Sequence, residues 1–141
     1  MKKTPIAKIY EAYSCLADER IKLEENKAMV TSSNGAKTYE VKWSGNNYSS
    51  NDNASFWQGY PGYPVIAVLM LKNSLPYDKD IIKYFKNINW HELNNKYKRD
   101  YDKVVEEVLA NISYSTEKIK ESTSKTYDYL INMDINIKRK V

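Results

Sequence analysis

The chain has few of the residues that most often build a chemical site. Its 141 residues include one cysteine, one histidine and four glycines. A single cysteine, Cys15, excludes an internal disulfide and any metal site made of several cysteines. A structural zinc site takes four Cys or His ligands and a catalytic site takes three protein ligands, so Cys15 and His91 are too few for either. Four glycines also leave no Gly-rich phosphate loop. We therefore expect no metal and no cofactor.

Long apolar runs are missing as well. The longest one, Val65–Leu71, has seven residues, whereas a membrane span needs about 18 or more. Lys8 and Glu11 interrupt the apolar residues near the start of the sequence, so the pattern is not that of a secretory signal. The sequence therefore predicts a cytoplasmic protein that has no membrane partner.

Residue patterns that serve catalysis are also absent. The sequence has no nucleophile elbow and no Cys–His pair. Its carboxylate pairs fall on turns or on polar helix faces, where solvation is the usual state: Asp18-Glu19, Glu24-Glu25 and Glu106-Glu107. Cys15 lies beside the apolar residue Leu16, so we expect a buried thiol without a catalytic role. The sequence predicts that the protein is not an enzyme.

Charge is distributed unevenly along the chain. There are 22 basic and 18 acidic residues, which give a net charge of +4. Residues 28–71 contain only two residues of each sign, whereas the flanking segments are densely charged with both signs. This layout is typical of a sheet and turn region that packs between solvated helices.

Helical and strand periodicities alternate in the first half of the chain. Thr4-Pro5 has the pattern of an N-cap followed by proline at the first helical position, and the apolar stripe after it predicts a helix that ends near Ala17. Asn34-Gly35 predicts a tight hairpin turn. Alternating patterns predict strands over 20–24, 28–32 and 37–43, with a short fourth strand over 47–50 as an addition.

Helices follow in the second half. Residues 51–64 are rich in Gly, Pro and polar residues and are predicted to form a loop. Pro64 then starts an apolar helix to about Lys72, which we expect to be buried on nearly every side. Further helices are predicted over 78–86, 89–112 and 116–133, the second of them long and continuous.

Together these elements predict the α+β class. The order is an N-terminal helix, an antiparallel meander of three to four strands, a buried central helix and two to three C-terminal helices. We expect residues 1–113 to form a single domain. Residues 114–141 are predicted to form a helical extension or a partly disordered tail, which ends as an edge strand, a basic arm or a frayed terminus.

The middle of the chain resembles a SWIM-type zinc-finger domain over about residues 20–72. The resemblance rests on the strand KTYEVKW, the following NNYSSND and the segment YPGYPVIAVLML, whose apolar helix start matches that family's. The positions of the four zinc ligands hold Ser49, Asn51, Tyr63 and Val65, so all four ligands are absent. The resemblance implies a module that binds DNA or proteins and has lost its zinc.

The same resemblance implies a structural role for the aromatic residues near the former ligand positions. Trp57, Tyr60 and Tyr63 form an aromatic corner that would replace the metal as the anchor of the loop. If the Trp57 indole is buried, its replacement by alanine costs about 3 kcal/mol or more of the free energy of unfolding. A ligand site at this corner is the second interpretation.

For function, we predict a small non-catalytic protein that binds nucleic acid through helices bearing lysine and tyrosine. Cationic side chains interleaved with aromatic ones are typical of single-strand binding. The alternative is a protein-interaction or oligomerisation module that uses the apolar stripe of the C-terminal helices, and a third is an enzyme with the aromatic corner as its substrate pocket. The predicted nucleic-acid contacts are Lys83, Tyr84, Lys86, Lys98, Arg99, Lys103, Lys138, Arg139 and Lys140.

Overall fold

The second helix is the element around which the other elements pack. The computed structural model describes residues 3–141, and in it Pro64–Met70 of this helix are all buried. The helix lies between the sheet on one side and the first helix on the other. The helices are α1 (Ala7–Ala17), α2 (Tyr63–Leu71), α3 (Trp90–Lys96), α4 (Tyr101–Ala110) and α5 (Thr116–Ile131), with a π-helical turn at Ala54–Gln58 and a 3₁₀ turn at Ile82–Phe85.

A five-stranded sheet forms the other layer. Its spatial order is the same as its chain order, with the first four strands antiparallel and the last one parallel to its neighbour. Gly35 has a left-handed backbone (φ 74°) in the turn between the second and third strands, as the Asn-Gly pattern predicts. The strands are β1 (Ile21–Leu23), β2 (Lys27–Thr31), β3 (Thr38–Ser44), β4 (Asn47–Ser50) and β5 (Asn136–Ile137).

This architecture confirms the predicted α+β class. The antiparallel meander, the buried central helix started by proline, and the late helix over 116–131 all form as expected. Residues 114–141 supply α5 and β5, and Ile119, Leu130 and Ile135 belong to the same buried core as α1 and α2. Two hydrogen bonds tie α5 to the start of the chain: Tyr13 Oη lies 2.9 Å from Thr123 Oγ1, and Tyr127 Oη donates to the carbonyl oxygen of Thr4 at 2.7 Å.

Three local predictions are wrong. The first helix begins at Ala7 and not at Pro5, because the Thr4 hydroxyl donates to the carbonyl oxygen of Pro61 (3.1 Å) and does not cap the helix. The segment 78–86 forms only the short 3₁₀ turn. The predicted continuous helix over 89–112 is two helices, α3 and α4, separated by a turn in which Lys98 (φ 52°) and Arg99 (φ 65°) are left-handed.

The segment 51–64 is also more ordered than a simple loop, because it contains the π-helical turn. Within residues 3–141, no helix is both long enough and apolar enough to cross a membrane.

Candidate functional site

A polar cleft of about 380 Å³ opens beside the first half of α1. Its walls come from α1, the β2–β3 hairpin, the segment from Asp52 to Tyr63, and α3 with the turn that follows it. The volume lies within the range of sites that hold small ligands, which runs from about 300 to 1,000 Å³. Since four separate parts of the chain converge here, the cleft is a product of the tertiary fold.

A buried ion pair on α1 forms part of the cleft lining. Glu11 is only 5% exposed, and its Oε2 lies 3.1 Å from Lys8 Nζ. Asn94 of α3 donates its Nδ2 to Glu11 Oε1 at 3.2 Å, and Lys8 Nζ lies 4.7 Å from the centre of the Tyr101 ring. Burial, the largest single cause, lowers the pKa of Lys8, but Glu11, Tyr101 and Tyr60 together outweigh it, so the pKa is raised.

Tyrosines from the sheet and from the segment before α2 line another part of the cleft. The rings of Tyr39 and Tyr63 meet edge to face, with centres 6.2 Å apart and planes at 90°. Burial is the main cause that raises the pKa of the phenols of Tyr39, Tyr60 and Tyr63. Asp52 raises the pKa of Tyr39 further, whereas Lys8 partly offsets the rise for Tyr60. All three phenols are therefore neutral near pH 7 and are available to donate or accept hydrogen bonds.

Asp52 is the acidic residue of the segment that joins β4 to α2. It is 6% exposed, and its Oδ2 accepts a hydrogen bond from the backbone N–H of Ser55 at 3.1 Å, which starts the π-helical turn. The Ser55 hydroxyl in turn accepts from the backbone N–H of Gly62 at 3.1 Å. A Cβ at position 62 would overlap the Asp52 carboxylate, so any larger residue there must displace that carboxylate. The second oxygen, Oδ1, has no hydrogen-bond partner.

Arg20 follows α1 and enters the cleft from the start of β1. Its Nη1 donates to the carbonyl oxygen of Thr31 at 2.6 Å, and its Nε lies 3.6 Å from Asp18 Oδ2. Only 11% of the side chain is exposed. Nε and Nη2 have no hydrogen-bond partner although both are buried.

Unpartnered buried polar groups concentrate at this cleft. Within residues 3–141, the buried side-chain atoms without a hydrogen-bond partner are Glu11 Oε2, Arg20 Nε, Arg20 Nη2 and Asp52 Oδ1. All three residues line the cleft. The ion pair with Lys8 compensates Glu11 Oε2, and the ion pair with Asp18 compensates Arg20 Nε. The donor Arg20 Nη2 and the acceptor Asp52 Oδ1 remain without a partner. A buried polar group without a partner costs about 1–3 kcal/mol, so natural proteins rarely keep one without a reason.

The comparisons with known proteins place the chain in a family. Residues 1–136 match the family described as uncharacterised conserved protein UCP014422. The chain belongs to this family. No curated protein and no solved structure matches it.

The structure of this UCP014422 protein distributes the predicted aromatic corner over two environments. Tyr60 and Tyr63 line the cleft. Trp57 does not, and its side chain is 64% exposed. The expectation that Trp57 anchors the interior is therefore wrong, because the π-helical turn points this indole outward while Tyr63, at the start of α2, is held against Tyr39.

The first group of predicted nucleic-acid contacts lies at and just after the 3₁₀ turn. Lys83 and Lys86 are exposed, and Lys83 Nζ lies 5.3 Å from the centre of the Tyr84 ring. Tyr84 stacks on Tyr114, with centres 5.0 Å apart and planes at 18°. This group forms a small cationic and aromatic surface, as single-strand binding would require.

The other predicted contacts lie on different elements. Lys98 and Arg99 occupy the turn between α3 and α4, where Arg99 lines the cleft, and Lys103 Nζ lies 4.0 Å from Asp100 Oδ2. Lys138, Arg139 and Lys140 follow β5. The nine residues are thus divided among three parts of the chain, and nucleic-acid binding stays a prediction.

Sequence reasoning did not select five of the residues that line the cleft: Lys8, Glu11, Arg20, Tyr39 and Asp52. Two signals point to them in retrospect. Glu11 is a carboxylate inside the segment of the apolar stripe of α1, and Asp52 is the only charged residue between Asn47 and Leu71. A charge in an otherwise uncharged or apolar stretch marks a position where burial requires a partner.

Among residues 3–141, no three His, Cys, Asp or Glu side chains are grouped so that they could hold a metal ion. The described residues of the cleft therefore do not form a metal site. The cleft presents guanidinium, phenol, amide and carboxylate groups instead.

Proposed function

We propose that the protein is a small binding protein whose cleft takes a small polar molecule that carries a carboxylate or a phosphate. The observation that supports this most directly is the position of the unpartnered buried atoms of Arg20 and Asp52 at the cleft. We also retain the expectation that the protein acts in the cytoplasm and does so without catalysis.

Arg20 defines the acidic part of the ligand. A guanidinium presents several N–H donors in a fixed plane, which matches the two oxygens of a carboxylate or a phosphate. One nitrogen of Arg20 already binds Thr31, and this contact fixes the side chain in place. Nε lies 3.6 Å from the Asp18 carboxylate, so Nη2 is the donor left for an anion.

Asp52 defines a second requirement. Its Oδ1 is an acceptor without a donor, so the ligand should present a hydroxyl or an amino group to it. The oxygen beside it is held by Ser55, which keeps the carboxylate oriented. A ligand with an acidic group and a hydrogen-bond donor satisfies both residues, whereas a purely apolar molecule satisfies neither.

The overall charge of the cleft agrees with an acidic ligand. Four cationic side chains line it, namely Lys8, Arg20, Lys37 and Arg99, against the two carboxylates of Glu11 and Asp52, which leaves a net charge of +2 with His91 neutral. Lys8 and Glu11 neutralise each other. The excess therefore comes from Arg20 inside and from Lys37 and Arg99, which are both exposed, at the rim.

A thermal-shift screen with two ligand panels tests the proposal. One panel holds hydroxy acids and amino acids, and the other holds sugar phosphates and nucleotides, so that the two sources of the anion are separated. A ligand present at about 100 times its Kd should raise the melting temperature by roughly 5–10 °C. A cleft that holds only water would give no shift with either panel, and the proposal would then fail.

Variants locate any binding that the screen finds. Arg20→Met and Asp52→Asn should each weaken binding measured by calorimetry by about tenfold or more, because each leaves a polar group of the ligand without its partner. Lys125→Met, on the exposed face of α5 and away from the cleft, is the matched control and should bind as the natural protein does. Since Arg20 also contacts Thr31, circular dichroism must show each variant folded. Unchanged binding in both cleft variants would contradict the proposal.

A further inference from the structure

We propose that Trp57 and the cations after β5 form a second site, a stacking platform for single-stranded nucleic acid. Phe56, Trp57 and residues 138–140 do not line the cleft, so the proposal does not rest on the ligand of the cleft. It is built from the π-helical turn on one side and from residues 138–140 on the other.

The exposed indole is the first observation. Of the three tryptophans, Trp90 is 3% exposed, whereas Trp57 is 64% exposed. Phe56 packs edge to face against Trp57, with ring centres 4.7 Å apart and planes at 83°. The indole is therefore held in position by its neighbour while most of its surface faces solvent, which is unusual for so large an aromatic side chain.

The position of Arg139 is the second observation. Its guanidinium carbon lies 5.3 Å from the centres of both the Phe56 and the Trp57 rings, and its Nε donates to the carbonyl oxygen of Phe56 at 3.2 Å. These contacts join the last segment of the chain to the π-helical turn. Lys138 and Lys140, which flank Arg139 in the chain, are exposed.

Charge and ring chemistry together identify the partner. An exposed aromatic ring with Arg139 beside it, in a run of three consecutive cations, matches an unpaired base and its phosphates, which is how proteins hold single strands. In a duplex the faces of the bases are covered by their neighbours, so a stacking platform selects unpaired bases. The nearest acidic residue along the chain, Asp134, precedes β5, and the run 138–140 itself contains no carboxylate.

Fluorescence anisotropy with a short labelled oligothymidylate tests this site, with a blunt duplex of the same length as the competitor. Binding should be strongest at low salt, with a slope of log K against log salt of about −2, because each of three phosphates contributes about −0.7. Trp57→Ala should weaken the affinity about 5- to 150-fold, since stacking on one base is lost. The triple variant Lys138→Ala, Arg139→Ala and Lys140→Ala should remove most of the salt dependence.

Controls come from exposed positions elsewhere. Tyr129→Ala removes another exposed aromatic ring and Lys125→Ala another exposed cation, both on α5, and neither should change binding. Absence of binding at low salt, equal affinity for the duplex, or full affinity in the Trp57→Ala variant would each overturn the proposal. So would binding to anionic phospholipid vesicles, followed through the indole emission, by a protein that does not bind the oligonucleotide.

Discussion

At the scale of single residues, the same residue type meets opposite environments in this protein. Trp90 begins α3, is nearly fully buried, and donates its indole N–H to the Ser14 hydroxyl at 2.7 Å. That hydroxyl donates in turn to the carbonyl oxygen of Phe85 at 2.6 Å. Trp57 makes no comparable internal contact and remains exposed. Only the three-dimensional arrangement separates the structural tryptophan from the exposed one.

The two tryptophans should differ sharply in their effect on stability. Trp90→Ala should lower the free energy of unfolding by about 3–5 kcal/mol, because it leaves a large cavity and removes the donor to the Ser14 hydroxyl. Trp57→Ala should change it by no more than about 0.5 kcal/mol, since the side chain is mostly in solvent. Urea denaturation measures both. A large loss in the Trp57→Ala variant would show that the indole supports the fold after all.

Gly62 and Asp52 form a contact that a double-mutant cycle tests. Gly62→Ala should lower the free energy of unfolding by about 1–3 kcal/mol, because the new methyl group overlaps the Asp52 carboxylate. The backbone of Gly62 is extended (φ −78°, ψ 176°), so the loss comes from the contact and not from the dihedral angles. The combined variant with Asp52→Ala should lose less than the sum of the single losses. Additive losses in chemical denaturation would contradict this interpretation.

At the scale of elements, the break between α3 and α4 shows where periodicity misleads. The apolar positions 90, 93, 97, 101, 104 and 108 keep helical spacing through the break, because both helices face the same core. The turn is fixed by two consecutive left-handed residues and by Asp100, whose side chain accepts a hydrogen bond from the backbone N–H of Lys103. Across it, Glu107 accepts from Lys96 Nζ at 2.9 Å and from Tyr97 Oη at 2.7 Å. In the sequence alone, the pair Asp100 and Lys103 fits both the N-cap of a new helix and the exposed face of a continuous one, so it does not reveal the break.

The cap at Asp100 supplies a matched pair of variants. Asp100→Ala should lower the free energy of unfolding by about 1 kcal/mol, because α4 loses its N-terminal acceptor. Asp102→Ala, in the first turn of the same helix but not the cap, should cost less, about 0.3–1 kcal/mol through the helix dipole alone. Thermal denaturation compares them directly. An equal loss in both variants would mean that the cap has no special role.

At the scale of the whole molecule, the sequence predicts the fold better than the site. Local periodicity and turn chemistry specify the strands, the central helix and the late helix. Short stretches of sequence such as Asn34-Gly35 and Pro64 to Met70 are therefore enough to predict them. The cleft joins Lys8, Arg20, Tyr39 and Asp52 from separate elements. No short window contains that arrangement, since contact between distant residues depends on the packing of α1 against α2 and the sheet.

Buried ionisable groups of α1 predict how the stability of the whole molecule depends on pH. Burial raises the pKa of the Cys15 thiol from 9.0 to about 12 and that of the Tyr13 phenol from 10.0 to about 12. Below about pH 8 both groups are protonated in both states. Above it the unfolded chain loses these protons first, so it binds fewer protons and the free energy of unfolding falls as pH rises.

The decline should begin at about pH 8 in the natural protein and steepen by up to about 1.4 kcal/mol per pH unit for each group. In Cys15→Ala, which also leaves a small cavity, the decline should begin at about pH 9 instead, where the phenols start to ionise in the unfolded state. Urea denaturation from pH 7 to pH 12 measures both curves. The same onset in the two proteins would show that the thiol does not contribute.

The parallel pairing of β4 with β5 has a consequence for synthesis. Asn47 and Asn136, which face each other across this pair, lie 89 residues apart in the chain. While a ribosome makes the chain, β4 is complete long before its last neighbour exists, and one row of its backbone N–H and C=O groups has no partner. An unpaired strand edge is a template for pairing with other chains. Nascent or truncated chains that lack β5 should therefore be the form of this protein that aggregates.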